Sequence, residues 1–409
     1  MRGLFNELEQ RHSPRERKEY LVEFPGFRSI FGVKVVPASR DGHVVIPESV
    51  NAEMEKSSQP HTVLAKVLTE AINRLSAFRN DYDVLLIALP DRWKKAFESD
   101  DGFDLHDYVK AINASRGLPT QFIKETGALF YSCRASVMWR LGIALYCKAG
   151  GVPWKLADVD PDTAFIGISY ALRYTPEGAV KFITCCSQVF DADGAGLEFL
   201  AYETNDVKTE GDNPFLSRSE MRRVMARSLS LYQRRHGGKS PKRITVHKTT
   251  EFKSEEVEGC FDALSAVSEV DLYQILEDTP WRGMLFDVPA GQTKPTAAMY
   301  PCERGTYMPL GDREILLWTQ GDAPEVTPGK HFYKEGKGIP HPIILKRFAG
   351  HGGWDFPVRS VLGLSKMNWN NDALYDSMPI TLGYAAKLAR TVRNMPTIAA
   401  RPYEFRLFM

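Results

Sequence analysis

The sequence feature that most constrains the fold is an alternation of helix and strand patterns between residues 61 and 148. Apolar residues keep helical spacing in three segments, and the two short apolar runs between them have the length of buried parallel strands. Strands that alternate with helices predict a small doubly wound α/β domain. The predicted helices cover 61–78, 103–116 and 136–148, and the predicted strands cover 84–90 and 118–123.

The pattern changes after Trp154. Strand-like runs joined by turn residues come first, and DADGAG (191–196) is typical of a hairpin turn. An antiparallel meander followed by a helix and a parallel strand predicts an RNase H-like domain. The predicted elements are strands 165–174, 181–190 and 197–203, a basic helix 217–237, a strand 243–248 and a helix 254–267.

The predicted fold class is therefore α/β, with an α/β domain at 51–155 followed by an RNase H-like domain at 156–409. A chain of 409 residues is long enough for two or three domains with sizeable cores. Residues 1–50 contain two short strand-like runs, GVKVV and HVVIP, and the role of this segment is left open.

Composition and charge favour a soluble globular protein. Hydrophobic residues make up 43% of the chain and charged residues 25%, and a net charge of +1 argues neither for nor against nucleic-acid binding. The six cysteines are scattered without a CxxC pair, which argues against a zinc site or a disulfide framework. The N-terminus is too polar for a signal peptide, and no apolar run has the length of a membrane span. These features predict a cytoplasmic protein that does not enter a membrane.

Four polar residues of the first domain form a candidate phosphate site. His106 and Lys110 lie four apart on a predicted helix and share a face, Gln121 lies on the next strand, and Lys148 ends the last helix. Two ammonium groups, a ring and an amide at the strand ends of an α/β domain can hold a phosphate and stack a base. The spacing alone leaves a second interpretation open, in which the His/Lys pair is a solvated helix face and Lys148 only complements the helix dipole.

The order of several motifs resembles that of Argonaute proteins. LPTQFI, KAGGVPWKL and FIGIS resemble the junction between the MID and PIWI domains of that family. The resemblance covers about 80 to 409, and because the chain lacks room for N and PAZ domains it resembles a short prokaryotic Argonaute. It implies a Rossmann-like MID domain at 51–155 and an RNase H-like PIWI domain at 156–409. Further matching motifs are ITVHK, LSKMNWNN, PITLGYAAKLAR and the C-terminal RLFM.

The resemblance assigns roles to the candidate phosphate site. It implies that His106, Lys110, Gln121 and Lys148 bind the 5′ phosphate and first base of a guide strand. Family members also place a divalent cation between this phosphate, the glutamine and the C-terminal carboxylate. Gln121 and the carboxylate of Met409 are therefore expected to bind Mg²⁺, which prefers oxygen ligands.

The resemblance also indicates that the second domain has lost its slicing residues. Slicing Argonautes hold two metal ions with four acidic or histidine side chains. Ser169, Thr249 and Ala386 occupy three of the expected positions, and hydroxyl and methyl groups cannot hold two divalent cations. The sequence thus predicts no catalytic residues in this chain.

Basic residues near the C-terminus are expected to contact the guide backbone. Lys387, Arg390 and Arg393 follow one another at helical spacing on the predicted final helix, which helps to hold guide phosphates in the family. Lys366, in the SKMNW motif, is a weaker candidate for the same role.

The implied function is guide-dependent recognition in a prokaryotic immune system. The expected ligands are a 5′-phosphorylated guide RNA and a complementary single-stranded DNA target. The expected protein partner carries an APAZ region and a sirtuin-like, TIR-like or nuclease effector, which guide–target pairing activates. Three alternatives remain open: a metal-dependent nuclease with substitute ligands, a nucleotide-binding regulator, and a structural subunit that binds only its partner.

Overall fold

The computed structural model of the protein divides into two compact units. The first contains the chain up to Pro153, a short piece around Trp369 and the C-terminal segment from Arg390. The second runs from Trp154 to Asn368 and includes the chain immediately before Arg390. The structure describes residues 2–14, 21–98, 103–157, 159–174, 180–193, 198–204, 206–210, 213–326, 331, 333, 338–370, 376–395 and 402–409.

The first unit has two parallel strands and a set of helices, in the predicted alternation. Strands β1 (Leu85–Leu89) and β2 (Thr120–Lys124) pair in parallel, with Leu85 opposite Thr120 and Leu89 opposite Lys124. Three elements that surround them match the predicted helices to within a few residues. The elements are α1 (Arg2–Leu8), α2 (Phe27–Phe31), α3 (Ser49–Lys56), α4 (Pro60–Ser76), β1 (Leu85–Leu89), α5 (Lys94–Phe97), α6 (Leu105–Arg116), β2 (Thr120–Lys124) and α7 (Arg134–Lys148).

Apolar periodicity explains this packing. The apolar face of α4 packs on one side of β1 in a core that also contains Val109 of α6. A second core brings residues before position 50 into the unit, because Leu8 of α1 and Phe27 of α2 pack against Met138 of α7. The strand-like appearance of GVKVV and HVVIP was misleading, since residues 32–36 and 43–47 form no strand.

The second unit begins with the predicted meander, helix and parallel strand. Strand β3 pairs with β4 antiparallel and with β8 in parallel, and β9 adds in parallel to the other edge of β8. The predicted hairpin turn at 191–196 lies partly outside the described residues. The elements are β3 (Thr163–Tyr174), β4 (Val180–Asp191), β5 (Glu198–Thr204), β6 (Val207–Glu210), β7 (Asn213–Leu216), α8 (Arg218–Arg235), β8 (Arg243–Lys248), α9 (Ser254–Ala263) and β9 (Glu269–Leu276).

Three further strands extend this sheet beyond β9: β12 (Tyr307–Gly311), β13 (Glu314–Leu317) and β14 (Ile343–Ala349). The strand order is β12-β13-β14-β9-β8-β3-β4-β5. The core under the sheet joins Met221 and Val224 of α8 to Ile166 and Val246 of the central strands. None of the described helices has both the length and the apolar character needed to cross a bilayer. The remaining elements are β10 (Phe286–Asp287), β11 (Thr296–Ala297), β12 (Tyr307–Gly311), β13 (Glu314–Leu317), β14 (Ile343–Ala349), α10 (Asp355–Leu364), α11 (Ile380–Arg393) and β15 (Tyr403–Glu404).

Candidate functional site

Helix α6 presents Lys110 to the interior of the first unit. The helix begins after Asp104, whose side chain accepts a hydrogen bond from the main-chain N–H of Asp107. It ends at Gly117, which has φ 71°. Leu105 and Val109 bury one face of the helix, and Lys110 on that side is only 4% exposed. The interpretation of the His106/Lys110 pair as a solvated helix face is therefore wrong for the lysine.

Lys148 is held in place by a glycine stop at the end of α7. The N–H of Gly150 donates to Cys147 O and the N–H of Gly151 donates to Tyr146 O, both at 2.9 Å. These two bonds form a Schellman cap, in which Gly150 takes a left-handed φ of 99°. A Cβ on Gly151 would lie 2.4 Å from the Tyr146 ring, so the second glycine is also required. The cap fixes the last turn of α7, which carries Lys148.

The structure brings Lys148 and Gln121 into direct contact. The Lys148 ammonium is 2% exposed and donates to the Gln121 side-chain oxygen. The Gln121 amide nitrogen donates to the main-chain oxygen of Phe122 at 2.8 Å. This second bond orients the amide so that its oxygen, an acceptor, is the atom that meets the ammonium.

Lys110 contacts the C-terminus of the chain. Its ammonium donates to the main-chain oxygen of Met409 and lies 3.5 Å from that of Phe408. Both C-terminal residues are buried, and Phe405 packs edge-on against Trp369 with the ring centroids 5.2 Å apart. The apolar tail therefore carries the end of the main chain to a buried lysine. Gln121, Lys148, Lys110 and Met409 all belong to the first unit.

His106 lies at the start of α6 and is half exposed. Its ring centroid is 5.2 Å from that of Phe122, and its Nδ1 is 3.1 Å from Asp107 Oδ1. Partial burial is the main cause that lowers the pKa of His106, and the charge of Lys110 lowers it further, against the hydrogen bond with Asp107. A lowered pKa keeps the ring neutral at pH 7, which leaves a flat surface suited to a base.

Burial disfavours the Asp107 carboxylate, but the hydrogen bond with His106 and the charges of His106, Lys110 and Arg390 together lower its pKa. Asp104, His106 and Asp107 form a trio whose donor atoms lie within 4.8 Å of one another. Asp104 caps α6 and Asp107 bonds the histidine ring, so both carboxylates already have structural partners. These contacts explain the trio without a metal ion.

Arg406 belongs to the C-terminal RLFM motif, but the sequence gave it no role at this site. The Arg406 guanidinium donates to the main-chain oxygen of Lys148 at 3.5 Å and to the carboxylate of Glu404. It directly precedes three apolar C-terminal residues, and an isolated arginine near a terminus is not a distinctive pattern. Only the folded tail places it against the end of α7.

In the second unit, three of the expected slicing positions carry Ser169, Thr249 and Ala386. The parallel ladder pairs Ile168 with Lys248, so Ser169 and Thr249 directly follow neighbouring positions of β3 and β8. Ser169 is partly buried and Thr249 is exposed. Ala386 lies on α11 and is partly buried.

His247 and Lys248, which directly precede Thr249, are fully buried in the core of the second unit. His247 Nδ1 lies 2.9 Å from Thr381 Oγ1, and burial lowers the pKa of His247 to about 3. The Lys248 ammonium bonds both carboxylate oxygens of Glu256, at 2.6 and 2.7 Å, and both side chains are fully buried. Glu256 also accepts from the main-chain N–H of Leu216 at 3.0 Å. Burial lowers the pKa of Lys248, against the attraction of Glu256.

The four basic residues expected on the guide backbone divide between the units. Lys387 belongs to the second unit, is partly buried, and has its ammonium 5.2 Å from the centroid of the Tyr384 ring. Lys366 belongs to the same unit and is also partly buried. Arg390 and Arg393 are exposed and belong to the first unit, where the charge of Arg390 acts on Asp107.

Solved structures with a similar arrangement include Clostridium butyricum Argonaute bound to a guide DNA and a 19-mer target DNA. It matches with a TM-score of 0.61 at 13% identity, over 97% of this chain and 46% of that one. The fold is Argonaute-like. A. aeolicus Argonaute matches with a TM-score of 0.58 at 17% identity, over 98% of this chain and 51% of that one. Aa-Ago with externally bound siRNA matches with a TM-score of 0.56 at 18% identity, over 84% of this chain and 44% of that one.

The chain spans about half the length of these Argonautes. No protein-family model matches the sequence, and no curated protein matches it. At such low identities the similarity establishes the mixed α/β fold. The function is therefore argued from the side chains of the site.

Proposed function

We propose that this chain is a guide-binding recognition protein that holds the 5′ phosphate of a short guide and pairs the guide with a complementary strand. The observation that carries the proposal is a pair of buried lysines, Lys110 and Lys148, in the first unit of an Argonaute-like fold. Clostridium butyricum Argonaute, which has this fold, is bound to a guide DNA and a target DNA. The resemblance to short Argonautes favours RNA as guide and single-stranded DNA as target.

A phosphate suits the two lysines because of their present partners. Burying an ammonium is costly unless acceptors surround it. Lys148 contacts a neutral amide oxygen and Lys110 contacts main-chain oxygens of the tail. A terminal phosphate carries a charge of about −1.5 to −2 at pH 7 and offers three strong acceptor oxygens, so it can bind both ammonium groups. The neutral His106 ring would then support the first base.

The residues also fit the Mg²⁺ ion that the resemblance implies. Gln121 supplies a side-chain oxygen and Met409 supplies the terminal carboxylate, and Mg²⁺ prefers such oxygen donors while keeping several waters. The Gln121 side-chain oxygen accepts a hydrogen bond from Lys148, and the Met409 main-chain oxygen accepts one from Lys110. Each oxygen would therefore have to contact the ion as well as its lysine. When bound, the cation would reduce the repulsion between the carboxylate and the guide phosphate.

We propose that the chain recognises its target without cutting it. Ser169, Thr249 and Ala386 supply no carboxylate or imidazole for two-metal catalysis. The Glu256 carboxylate beside them forms a buried ion pair with Lys248, so it is not free to bind a metal ion. An associated protein with an APAZ region would then provide the effector, whether sirtuin-like, TIR-like or a nuclease. In this scheme guide–target pairing in the cytoplasm triggers prokaryotic immunity.

The test is to isolate the protein from expressing cells, together with any tightly bound partner, and to extract its nucleic acid. The extract is treated with phosphatase, labelled with kinase and digested with RNase or DNase. A narrow size band that labels only after phosphatase treatment and is lost to RNase is the expected result. A folded preparation that carries no nucleic acid would support the structural-subunit alternative. Metal-dependent cleavage of a labelled target by this chain alone would support the nuclease alternative.

A further inference from the structure

The C-terminal segment contributes a cation to the end of α7. Arg406 is partly buried, with 29% of its side chain exposed. One of its guanidinium nitrogens lies 3.5 Å from the main-chain oxygen of Lys148. That oxygen belongs to the last residue of the helix, so the guanidinium sits on the helix end that carries Lys148.

This position matters because the end of α7 is a poor place for an anion. The unpaired carbonyls at a helix C-terminus carry a partial negative charge, equivalent to roughly half an electron. A phosphate bound close to those carbonyls would be repelled by them. A guanidinium on the carbonyls offsets that charge, in the same way that cations stabilise helix C-termini generally.

The charges of the protein groups at the site also favour a further cation. Lys110 and Lys148 supply two positive charges, but Lys110 already contacts the end of the chain, where the terminal carboxylate is negative. A phosphate adds about two negative charges at pH 7. Before a divalent cation binds, three negative charges then face two ammonium groups. The nearby Glu404 cancels little of the Arg406 charge, because its side chain is 57% exposed and water screens such a partner.

We propose that Arg406 is a positioning residue for the guide 5′ phosphate, which fixes the main chain of Lys148 and offsets the negative end of α7. The inference rests on the proposed function, since it assumes that Lys148 binds the phosphate. It assigns a role to the C-terminal segment that is separate from that of the terminal carboxylate.

The test compares two oligonucleotides of identical sequence, one with a 5′ phosphate and one with a 5′ hydroxyl, bound to the full chain. The ratio of their Kd values measures recognition of the phosphate alone. In Arg406→Gln we expect this ratio to fall by about five- to tenfold while the Kd of the 5′-hydroxyl strand stays unchanged. Arg406→Lys restores the charge and should recover most of the ratio. Arg79→Gln, which removes an exposed arginine from the same unit, is the matched control.

A folded Arg406→Gln protein with an unchanged ratio would overturn the inference. So would an equal weakening of both oligonucleotides, which indicates a structural role only. Glu404→Gln keeps Arg406 and should leave the ratio unchanged or slightly higher; a loss like that of Arg406→Gln would instead implicate the ion pair. If the wild-type protein does not distinguish the two oligonucleotides, the proposed function fails together with the inference.

Discussion

Among the residues that the structure describes, lysines are buried at two sites, and these sites differ in what the lysines contact. Lys148 and Lys110 in the first unit contact an amide oxygen and main-chain oxygens. Lys248 in the second unit is held by both oxygens of the Glu256 carboxylate. In the first arrangement the printed partners are an amide oxygen and the oxygens of the C-terminal residues, whereas in the second a side-chain carboxylate neutralises the ammonium. Burial of a charge is therefore not evidence of a binding site until its partner is known.

The most direct test of the structural role of the Lys248–Glu256 pair is to replace one of its two members. Lys248→Met leaves Glu256 as a buried carboxylate without its ammonium, and such losses cost about 3–5 kcal/mol of unfolding free energy. Denaturant unfolding measures the effect. Lys208→Met removes a lysine from an exposed pair with Glu255 and should change stability little. A Lys248→Met protein as stable as wild type would contradict the assignment.

The matching change in the first unit should affect binding rather than folding. We expect Lys110→Ala combined with Lys148→Ala to weaken binding of a 5′-phosphorylated guide by at least about a hundredfold, since two charge-assisted contacts worth roughly 1.5–3 kcal/mol each are lost. Fluorescence anisotropy with a labelled guide measures the loss. The control, Lys56→Ala with Lys66→Ala, removes two exposed lysines of the same unit. Normal guide retention by a folded double mutant would refute the pocket assignment.

The stability of the second unit should also decrease at acid pH, because of the buried His247. The folded-state pKa of His247 is about 3, below the ordinary value of 6.5, so the unfolded chain binds the proton first as the pH falls. Stability is then lost progressively from about pH 6.5 downwards, by up to about 1.4 kcal/mol per pH unit, or about 2 kcal/mol at pH 5. His247→Gln should flatten this dependence between pH 7 and 5. His43→Gln, at an exposed position, should leave it as in wild type.

A smaller effect is expected from the glycine stop that positions Lys148. The added Cβ of Gly151→Ala meets the Tyr146 ring, so the cap must shift, at a cost on the order of 1 kcal/mol. Guide binding should weaken as the last turn of α7 moves. Gly3→Ala, where nothing lies within 4 Å of the new Cβ, should not weaken binding. Thermal unfolding and anisotropy on the same samples separate the two effects. Unchanged binding in Gly151→Ala would show that the cap does not position the lysine.

Local patterns were enough to predict the alternation of α4, β1, α6, β2 and α7, because each element buries a face with its own period. The same reasoning failed for GVKVV and HVVIP, which have strand-like residues but form no strand. It gave no indication of β12–β14: β12 and β13 are short strands joined by two residues, and a long segment separates them from β14.

The site was predictable only in part. The positions of His106, Lys110, Gln121 and Lys148 follow from motif order, and their roles remain proposals. The contact between Lys110 and Met409 joins residues 299 apart in the chain, so no local pattern contains it. The same holds for Arg406, which reaches Lys148 only through the folded tail.

The most direct test of the central claim is a competition on wild-type protein between 5′-phosphorylated and 5′-hydroxyl RNA of one sequence. If Lys110 and Lys148 hold the phosphate, the phosphorylated strand should bind at least about tenfold more tightly, and free inorganic phosphate should reduce the difference. Equal affinity for the two strands, in a protein that still binds RNA, would contradict the account.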